Sequence, residues 1–284
     1  MQLLRKRWRS VLLFGFSALL LSGCGQIVVL NPQGPVAKEE LHLITWSFGL
    51  MMVVVVAVFV LFAYMLIKYR AKPDNKNDYL PDQDGNRLLE TVWTVVPIII
   101  IIALVIPTIK TTYALVKPPS NGTPVVIRAI SANWKWMFQY PGQGIETVNY
   151  VVIPDNRPVE FQLDAIGPMN SLWIPALGGQ EYTMPGMVMR LWLQADHAGT
   201  YVGRSANFSG RGFVHMVFNV IAKNPTDYAA WMSKVKSSSP VMTMSDYQKL
   251  MAQSVVPTMT FSHYIQSSGS QRNSMSAMSM ASSS

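Results

Sequence analysis

Residues 88–109 read LLETVWTVVPIIIIIALVIPTI, and this stretch determines the class of fold that the chain can adopt. Glu90 is its single charged residue. An apolar helix of about 20 residues is long enough to cross the hydrocarbon core of a bilayer. Pro97 and Pro107 are tolerated in a spanning helix, where we expect kinks. We therefore predict a transmembrane helix at 88–109, with a buried helix of a soluble core as the alternative.

A second stretch, residues 41–67, is almost wholly apolar and reads LHLITWSFGLMMVVVVAVFVLFAYMLI. In the whole chain of 284 residues, 50% are hydrophobic and only 13% are charged, a composition that is unusual for a soluble protein. Two uninterrupted segments this apolar seldom occur in a soluble core. We predict a second spanning helix at 41–67, so that the chain is anchored by a transmembrane helical hairpin.

The linker at 68–87 sets the orientation of the predicted hairpin. Its basic residues are Lys68, Arg70, Lys72, Lys76 and Arg87. Because short loops rich in Lys and Arg stay in the cytoplasm, we expect this linker to be a cytoplasmic loop. Residues 24–40 and everything after 109 then lie on the outer side of a bacterial inner membrane.

The first 23 residues have the layout of a secretory signal. Four basic residues, Arg5, Lys6, Arg7 and Arg9, precede an apolar run at 11–21 that is too short to span a membrane. The formal net charge of +8 is therefore partly a signal-peptide feature, and we predict no nucleic-acid partner.

Residues 21–24, LSGC, resemble the lipobox of bacterial lipoproteins, which implies cleavage before Cys24 and a lipid on it. A plain signal peptide with a chance cysteine is the alternative. Cys24 is the only cysteine, so a disulfide within the chain is excluded.

From about residue 111 the sequence changes in kind. Short runs of β-branched and aromatic residues are separated by Pro and Gly, as in PVVIRAI, NWKWMFQYP and FVHMVFNVIA. This pattern predicts an all-β sandwich or barrel at 110–224. Alternation places two sets of side chains on common core-facing surfaces. They are Trp134, Trp136, Phe138 and Tyr140, and Met187, Met189, Leu191 and Leu193.

The C-terminal part has a different pattern again. Residues 225–265 predict a short helical extension, with Thr226 and Ser245 as N-terminal caps of two helices. Residues 266–284 are rich in Ser and Met and predict a disordered tail. Thioethers can bind Cu(I), so copper handling by the tail is an alternative to plain disorder.

These features together resemble subunit II of the heme-copper respiratory oxidases over nearly the whole chain. The most specific stretches are ETVWTVVP at 90–97, WKW at 134–136, MNSLWIP at 169–175 and SANFSGRGFVHM at 205–216. The resemblance implies a membrane-anchored fold with a cupredoxin-like sandwich on the outer side. It also implies a partnership with subunit I, and with subunits III and IV, of an oxidase complex.

Cytochrome c oxidases of that family hold a dinuclear copper centre in a loop of pattern C-x-E-x-C-x3-H-x2-M, with one His upstream. Two bridging thiolates, imidazole and thioether suit this centre chemically. The resemblance places the ligand positions at Ser205, Asn207, Ser209, Phe213 and Met216, and the upstream His at Asn170. Only Met216 retains a ligand type. We therefore expect no metal in this chain, and we expect the neighbouring His215 to lie on a strand edge facing solvent.

Family members that have lost this centre are the quinol oxidases, which the chain resembles most. The resemblance implies a non-catalytic subunit of a proton-pumping quinol:oxygen oxidoreductase, with hemes and copper in subunit I and quinol as substrate of the complex. From residue 111 onward there are 12 Lys or Arg against 8 Asp or Glu, a net charge of +4, whereas a dock for basic cytochrome c should be acidic. The sequence is consistent with either ubiquinol, as in cytochrome bo-type enzymes, or menaquinol as the substrate of the complex, and with different heme types. The alternatives are a cytochrome c oxidase subunit II and a free-standing, copper-free lipoprotein that binds a partner through its sandwich.

Glu90 is the remaining functional candidate. It lies near the cytoplasmic start of the second predicted span, where an ionisable group is a functional candidate by default. The resemblance implies that its carboxylate sits at the mouth of a proton path into subunit I. The alternative is an interfacial glutamate that only reaches toward water.

The resemblance also places Trp134 at the family's aromatic electron-entry position. Because no copper lies behind it, we interpret Trp134 as a core residue.

Overall fold

The structure, a computed structural model, describes residues 27–70, 85–116, 118 and 123–265. Cys24 and the rest of the predicted signal peptide lie outside the described residues. So do most of the predicted cytoplasmic loop and the predicted tail at 266–284.

Two long helices form the hairpin: α1 is Pro35–Lys68 and α2 is Arg87–Leu115. Both carry an apolar window long enough to cross a membrane, and none of that window is buried within the chain. The helices contact each other, and Trp46 Nε1 donates a hydrogen bond of 3.2 Å to the Ala103 carbonyl of α2. An apolar surface that the chain leaves uncovered is what a lipid-facing hairpin requires.

Both helices are longer than the sequence predicted. The first begins at Pro35 rather than residue 41, because proline suits the first turn of a helix, where its missing N–H is not needed. The second runs through Pro97 and Pro107 and ends at Leu115 rather than residue 109. The additional turns lie on the outer side, where α1 and α2 meet the β-domain.

In the described part of the chain, 11 strands form the β-domain. They are β1 Val125–Ala132, β2 Lys135–Tyr140, β3 Ile145–Val148, β4 Tyr150–Pro154, β5 Val159–Ile166, β6 Asn170–Trp173, β7 Gln180–Thr183, β8 Met189–Leu193, β9 Gly199–Ser205, β10 Val217–Lys223 and β11 Met259–Phe261.

The strands make two sheets. The first has the order β11-β3-β2-β1-β5-β8 and the second the order β4-β10-β9-β6-β7. The pairs β1 with β5 and β4 with β10 are parallel, and the other pairs are antiparallel. Two sheets that bury a common core are a sandwich, as the alternating sequence pattern predicted.

The core between the sheets is built on aromatic side chains of β2. Trp136 and Phe138 are fully buried and meet Phe218 of β10, with ring centroids 5.7 Å and 5.0 Å from it. The buried Tyr140 hydroxyl donates to the Val152 carbonyl at 2.9 Å, so its polar atom is satisfied inside the core. Contacts of this kind contribute about 1 kcal/mol per ring pair beyond the burial of area.

Three predicted side-chain placements are wrong. Trp134 packs partly buried against the core, but it lies in the β1–β2 turn rather than in β2 with the other aromatics, and its positive φ of 69° is one that a regular strand does not allow. Met187 precedes β8 in a turn and is 53% exposed, because the strand begins only at Met189. His215 is exposed, but it lies in a short 3₁₀ turn rather than on a strand edge.

The predicted caps of the C-terminal helices are wrong as well. Helix α3, Pro225–Ser238, is capped by Asn224, whose Oδ1 accepts from the Asp227 N–H at 2.8 Å. Helix α4, Met244–Met251, is capped by Thr243, which forms a capping box with Asp246. Thr226 and Ser245 lie inside the first turns, since the capping side chain must precede the first helical residue.

The extension at 225–265 is not only helical. Its last strand, β11, pairs with β3 and adds a sixth strand to the first sheet. Helix α4 and the residues around β11 cover the outer face of that sheet. They form a second apolar cluster with Ile130, Met137 and Val148. The first sheet is therefore covered on both faces.

The hairpin is attached to the β-domain at both outer helix ends. The Ala37 N–H donates to the Leu177 carbonyl at 3.1 Å, and the Gly179 N–H donates to Glu40 Oε1 at 2.9 Å. At the end of α2, Trp192 Nε1 donates to the Leu115 carbonyl at 2.6 Å. These bonds fix the sandwich relative to both spans.

Candidate functional site

The β9–β10 loop at 205–216 and the start of β6 meet at one end of the second sheet. Strand β9 pairs with β6 so that Ser205 lies opposite Leu172. Asn170, at the first position of β6, is fully buried, and Ser205 is nearly so. This pairing brings the predicted upstream position next to the loop.

Hydrogen bonds join the predicted positions to one another. Ser205 Oγ donates to Asn170 Oδ1 at 2.7 Å and lies 3.4 Å from the Asn207 carbonyl oxygen. Ser209 Oγ donates to the thioether Sδ of Met216 at 3.4 Å. The Ser205 N–H donates to the Met216 carbonyl at 2.9 Å, which closes the loop at its base. Five of the six predicted positions are thus linked directly.

Phe213 is the sixth position and makes a different contact. It is half-buried in the 3₁₀ turn that ends the loop, and its ring meets the Phe208 ring at a centroid distance of 5.6 Å. Phe208 itself is 79% exposed. The loop therefore presents an aromatic surface at a position where the related copper loops carry a His.

The donors at this site do not fit a dinuclear copper centre. They are two hydroxyls, an amide, a thioether and a backbone carbonyl, whereas two copper ions that share an electron need bridging thiolates. A serine hydroxyl stays protonated at neutral pH and does not replace a thiolate. Among the residues that the structure describes, no group of three or more His, Cys, Asp or Glu lies close enough together to hold a metal.

Trp134 forms one wall of the loop. Its indole Nε1 donates to the Ser209 carbonyl at 3.0 Å, and its ring lies directly against Gly212. A side chain at position 212 would collide with that ring, so the loop needs glycine there. This bond was not predicted from the sequence; the spacing of Gly210 and Gly212 in the loop was the available signal.

Lys135, between the two tryptophans, faces the opposite side of the sheet. It is fully buried, and its Nζ donates to the Leu250 and Ala252 carbonyls at the end of α4, at 3.1 Å and 2.7 Å. Burial lowers the pKa of Lys135 to about 8. A cation at a helix C-terminus satisfies its last carbonyls and opposes the helix dipole. This role was not predicted from the sequence, because the partner carbonyls lie more than 100 residues away along the chain.

Glu90 lies in the first turn of α2. Asn86 caps the helix, with its Oδ1 accepting from the Leu88 N–H at 2.9 Å, and Glu90 is exposed. A carboxylate in the first turn stabilises the helix through its dipole. The exposed position suits exchange of protons with water and also suits a residue that only reaches toward the interface. Cys24, the predicted lipid site, lies outside the described residues.

Two family models match the chain. One is described as cytochrome c oxidase subunit II, transmembrane domain, and covers residues 26–111. The other is described as cytochrome c oxidase subunit II, periplasmic domain, and covers residues 142–223. A protein from Bacillus cereus named quinol oxidase subunit 2 is 51% identical over 93% of this chain and 92% of its own length. The chain belongs to the quinol oxidase subunit 2 family.

Other members and a solved structure are similar to lesser degrees. The quinol oxidase subunit 2 of Bacillus subtilis is 47% identical over 86% of this chain and 77% of its own length. Among solved structures, the periplasmic domain of subunit II of cytochrome oxidase from Bradyrhizobium japonicum covers 47% of this chain and 98% of that chain. Its identity is 19% and its TM-score 0.38.

Family membership and the two exposed apolar helices establish the location of the chain. It is an inner-membrane protein with two spans, followed by a β-domain on the outer side. The predicted family, fold class and location are confirmed. The roles of individual site residues remain predictions.

Proposed function

We propose that this chain is the copper-free, non-catalytic subunit II of a quinol:oxygen oxidoreductase, the enzyme that passes electrons from a membrane quinol to oxygen. The names of its relatives, quinol oxidase subunit 2, support this function. In the proposal the hemes and copper that perform the reaction belong to subunit I. This chain anchors its β-domain over subunit I and stabilises the complex, which also includes subunits III and IV.

The observation that carries the copper-free assignment is the hydrogen bond between Ser205 Oγ and Asn170 Oδ1. Two positions at which the related copper loops have a thiolate and an imidazole are here a buried donor and acceptor that satisfy each other. The half-buried Ser209 hydroxyl also has a partner within the loop, the buried thioether of Met216. Because these polar atoms have partners within the chain, the loop is complete without a metal.

A chain without this copper cannot receive electrons from a soluble cytochrome c at its outer domain. Electrons must instead enter the complex from the membrane, where quinol dissolves. The net charge of +4 after residue 111 agrees with this, since a basic surface repels a basic cytochrome.

Two further assignments belong to this proposal. Cys24 is the mature N-terminus after removal of residues 1–23, and it carries the lipid. Glu90 exchanges protons with the cytoplasm at the mouth of a path into subunit I, which its exposed position in the first turn of α2 supports.

The decisive experiment purifies the chain with its native partners in a mild nonionic detergent. We expect hemes to copurify, ubiquinol or menaquinol to be oxidised with consumption of oxygen, and reduced cytochrome c to be left unoxidised. Comparing the two quinols identifies the substrate. Rapid oxidation of cytochrome c would contradict the copper-free assignment, and a chain that purifies without heme-bearing partners would favour a free-standing lipoprotein.

Mass spectrometry of the mature N-terminal peptide tests the lipid assignment. We expect a peptide that begins at Cys24 and carries acyl chains. Since two helices already hold the chain in the membrane, Cys24→Ser should leave membrane association and oxidase activity largely unchanged. An unmodified Cys24 in the mature protein would overturn the assignment.

A further inference from the structure

A row of polar side chains crosses the outer face of the first sheet, far in sequence from the loop at 205–216. The strand register places Gln139 of β2 opposite Glu146 of β3, and Arg128 of β1 opposite Gln139. The parallel pairing of β1 and β5 continues the row to Gln162. Outward-facing neighbours on the same strands, such as Met137 and Ile130, are apolar. The polar row is therefore a distinct feature of a face that is otherwise covered by apolar contacts.

A cavity of about 340 Å³ lies over this row. Its floor includes Glu146 and Gln139, and its opposite wall includes Tyr247 and Met251 of α4 and Tyr264 after β11. A volume of this size falls at the lower end of the range of small-molecule sites, about 300 to 1,000 Å³. One polar side with apolar and aromatic walls is also typical of such sites.

Glu146 is the group in this cavity that lacks a partner for one of its oxygens. It is only 2% exposed, and its Oε2 accepts from Gln139 Nε2 at 2.7 Å. Within the described part of the chain, its buried Oε1 has no hydrogen-bond partner. Burial raises the pKa of Glu146 to about 7. A carboxylate buried in this way is costly unless a cation or donor meets it.

The charges around Glu146 do not supply that cation. Arg128 also lines the cavity, but its guanidinium is paired with Asp164 of β5. Lys135, on the same face of β2, caps α4 instead. Of the titratable groups on the covering segments, Tyr247 and Tyr264 line the cavity and have no cationic form, whereas Asp246, Lys249 and His263 are not among the residues that line it. The ionised carboxylate is therefore the uncompensated charge of this cavity.

We propose that this cavity binds a small organic monocation, an ammonium group carried on an apolar body. The ammonium donates to Glu146 Oε1, and the body packs on Ile130 and Met137 beneath α4. The tyrosine rings of the wall favour a cation over a neutral donor, because an aromatic face attracts positive charge. A metal ion does not suit this site, since a single carboxylate beside amide side chains offers too few charged oxygen ligands.

The test uses the full chain purified in a nonionic detergent at pH 8, where the Glu146 carboxylate is mostly ionised. Phenethylammonium and the smaller butylammonium are the probes, and 2-phenylethanol is the neutral counterpart of the first. Isothermal titration calorimetry should detect saturable binding of phenethylammonium, and at least tenfold weaker binding of 2-phenylethanol. Absence of saturable binding for both ammonium probes, or equal affinity for the alcohol, overturns the proposal.

Two variants locate the binding. Glu146→Gln keeps the shape of the side chain and removes its charge, so it should lower the affinity for phenethylammonium at least tenfold. Glu181→Gln makes the same chemical change on β7 of the second sheet and should bind like the parent. Circular dichroism of both variants confirms that they are folded. Unchanged binding by Glu146→Gln overturns the proposal, because partition into detergent or into another site would then account for the signal.

Discussion

At the scale of single residues, hydrogen bonds among its own residues and to Asn170 hold the loop at 205–216. Ser205 and Asn170 are both buried, and each satisfies the other. A buried polar atom that loses its partner costs about 1 to 3 kcal/mol. The stability of the loop should therefore depend on this pair more than on the bond from Ser209 to Met216, where the acceptor is a weak thioether.

The first prediction is that Ser205→Ala lowers the free energy of unfolding by about 1 to 3 kcal/mol, because it leaves Asn170 Oδ1 buried without its donor. Ser209→Ala is the matched control and should cost clearly less. Denaturant unfolding of the purified chain, followed by tryptophan fluorescence, measures both. Equal losses of unfolding free energy for the two variants would show that the Ser205–Asn170 pair stabilises the fold no more than the Ser209–Met216 bond does.

The second prediction concerns Glu146 and pH. The pKa of this carboxyl rises from 4.5 to about 7 on folding, so the folded state holds the proton more tightly than the unfolded state. The resulting destabilisation is absent below about pH 4.5, grows as the pH rises to about 7, and is constant above that. Glu146→Gln should therefore raise the free energy of unfolding above pH 7, by up to about 3.5 kcal/mol, since a shift of about 2.5 pKa units corresponds to about 1.4 kcal/mol per unit.

Thermal unfolding of the parent and of Glu146→Gln across this pH range checks the sign. The two curves should meet at acid pH and separate toward pH 8, while Glu181→Gln follows the parent throughout. A Glu146→Gln variant that is less stable than the parent at pH 8 would mean that the ionised carboxylate has a stabilising partner.

At the scale of elements, the WKW motif at 134–136 holds three parts of the domain together. Its first residue lies in the β1–β2 turn and the other two begin β2. Trp134 contacts the loop at 205–216, Trp136 lies in the core, and Lys135 caps α4. Successive side chains of a strand point to opposite faces, so one short motif reaches both sides of the sheet. This explains why the outer helix α4 stays close to a face that lies far from it in sequence.

The third prediction is that Lys135→Met loosens α4 and β11 without unfolding the sandwich. The variant leaves the Leu250 and Ala252 carbonyls without their donor. Amide hydrogen exchange in residues 244–265 should become at least tenfold faster, while the amides of β1 and β10 stay protected. Lys249→Met, on the exposed side of α4, is the control and should leave exchange unchanged. Uniform exchange changes across the domain would contradict this local role.

How far the elements follow from the sequence depends on the range of the interactions that form them. The alternation of Trp136, Phe138 and Tyr140 predicted a core-facing strand, because that pattern is local. Strand β11 has only three residues and exists through pairing with β3, so no local pattern marks it.

The same holds for the site. Loop spacing located Ser205 and Ser209, but the bond to Asn170 and the wall formed by Trp134 depend on tertiary contacts. The caps were misplaced by two residues because Asn224 and Thr243 look like ordinary loop residues until the first helical residue is known.

At the scale of the whole molecule, α2 connects two candidate sites on opposite sides of the membrane. The β-domain is attached at Leu115, where Trp192 donates to its carbonyl. Glu90 lies near the other end of the helix, about 38 Å away at a rise of about 1.5 Å per residue. A substitution at Glu90 should therefore leave the outer loop and the β-domain intact. This separation makes Glu90 suitable for a kinetic test, because any structural effect of a substitution stays local to the start of α2.

The last prediction concerns proton uptake through Glu90. Glu90→Gln preserves the volume and the hydrogen-bonding capacity of the side chain but cannot release a proton. If the carboxyl passes protons toward subunit I, quinol oxidase turnover per heme should fall several-fold or more, while heme content and subunit assembly stay normal. Glu90→Asp keeps the acid on a shorter stem and should retain much of the activity.

If Glu90 only reaches toward the interface, the expected result is different, because Gln would then be tolerated and any loss of turnover would come with reduced assembly. Turnover per heme and subunit composition, measured side by side for the parent and both variants in detergent, separate the two roles, and full turnover in Glu90→Gln would exclude Glu90 from the proton path.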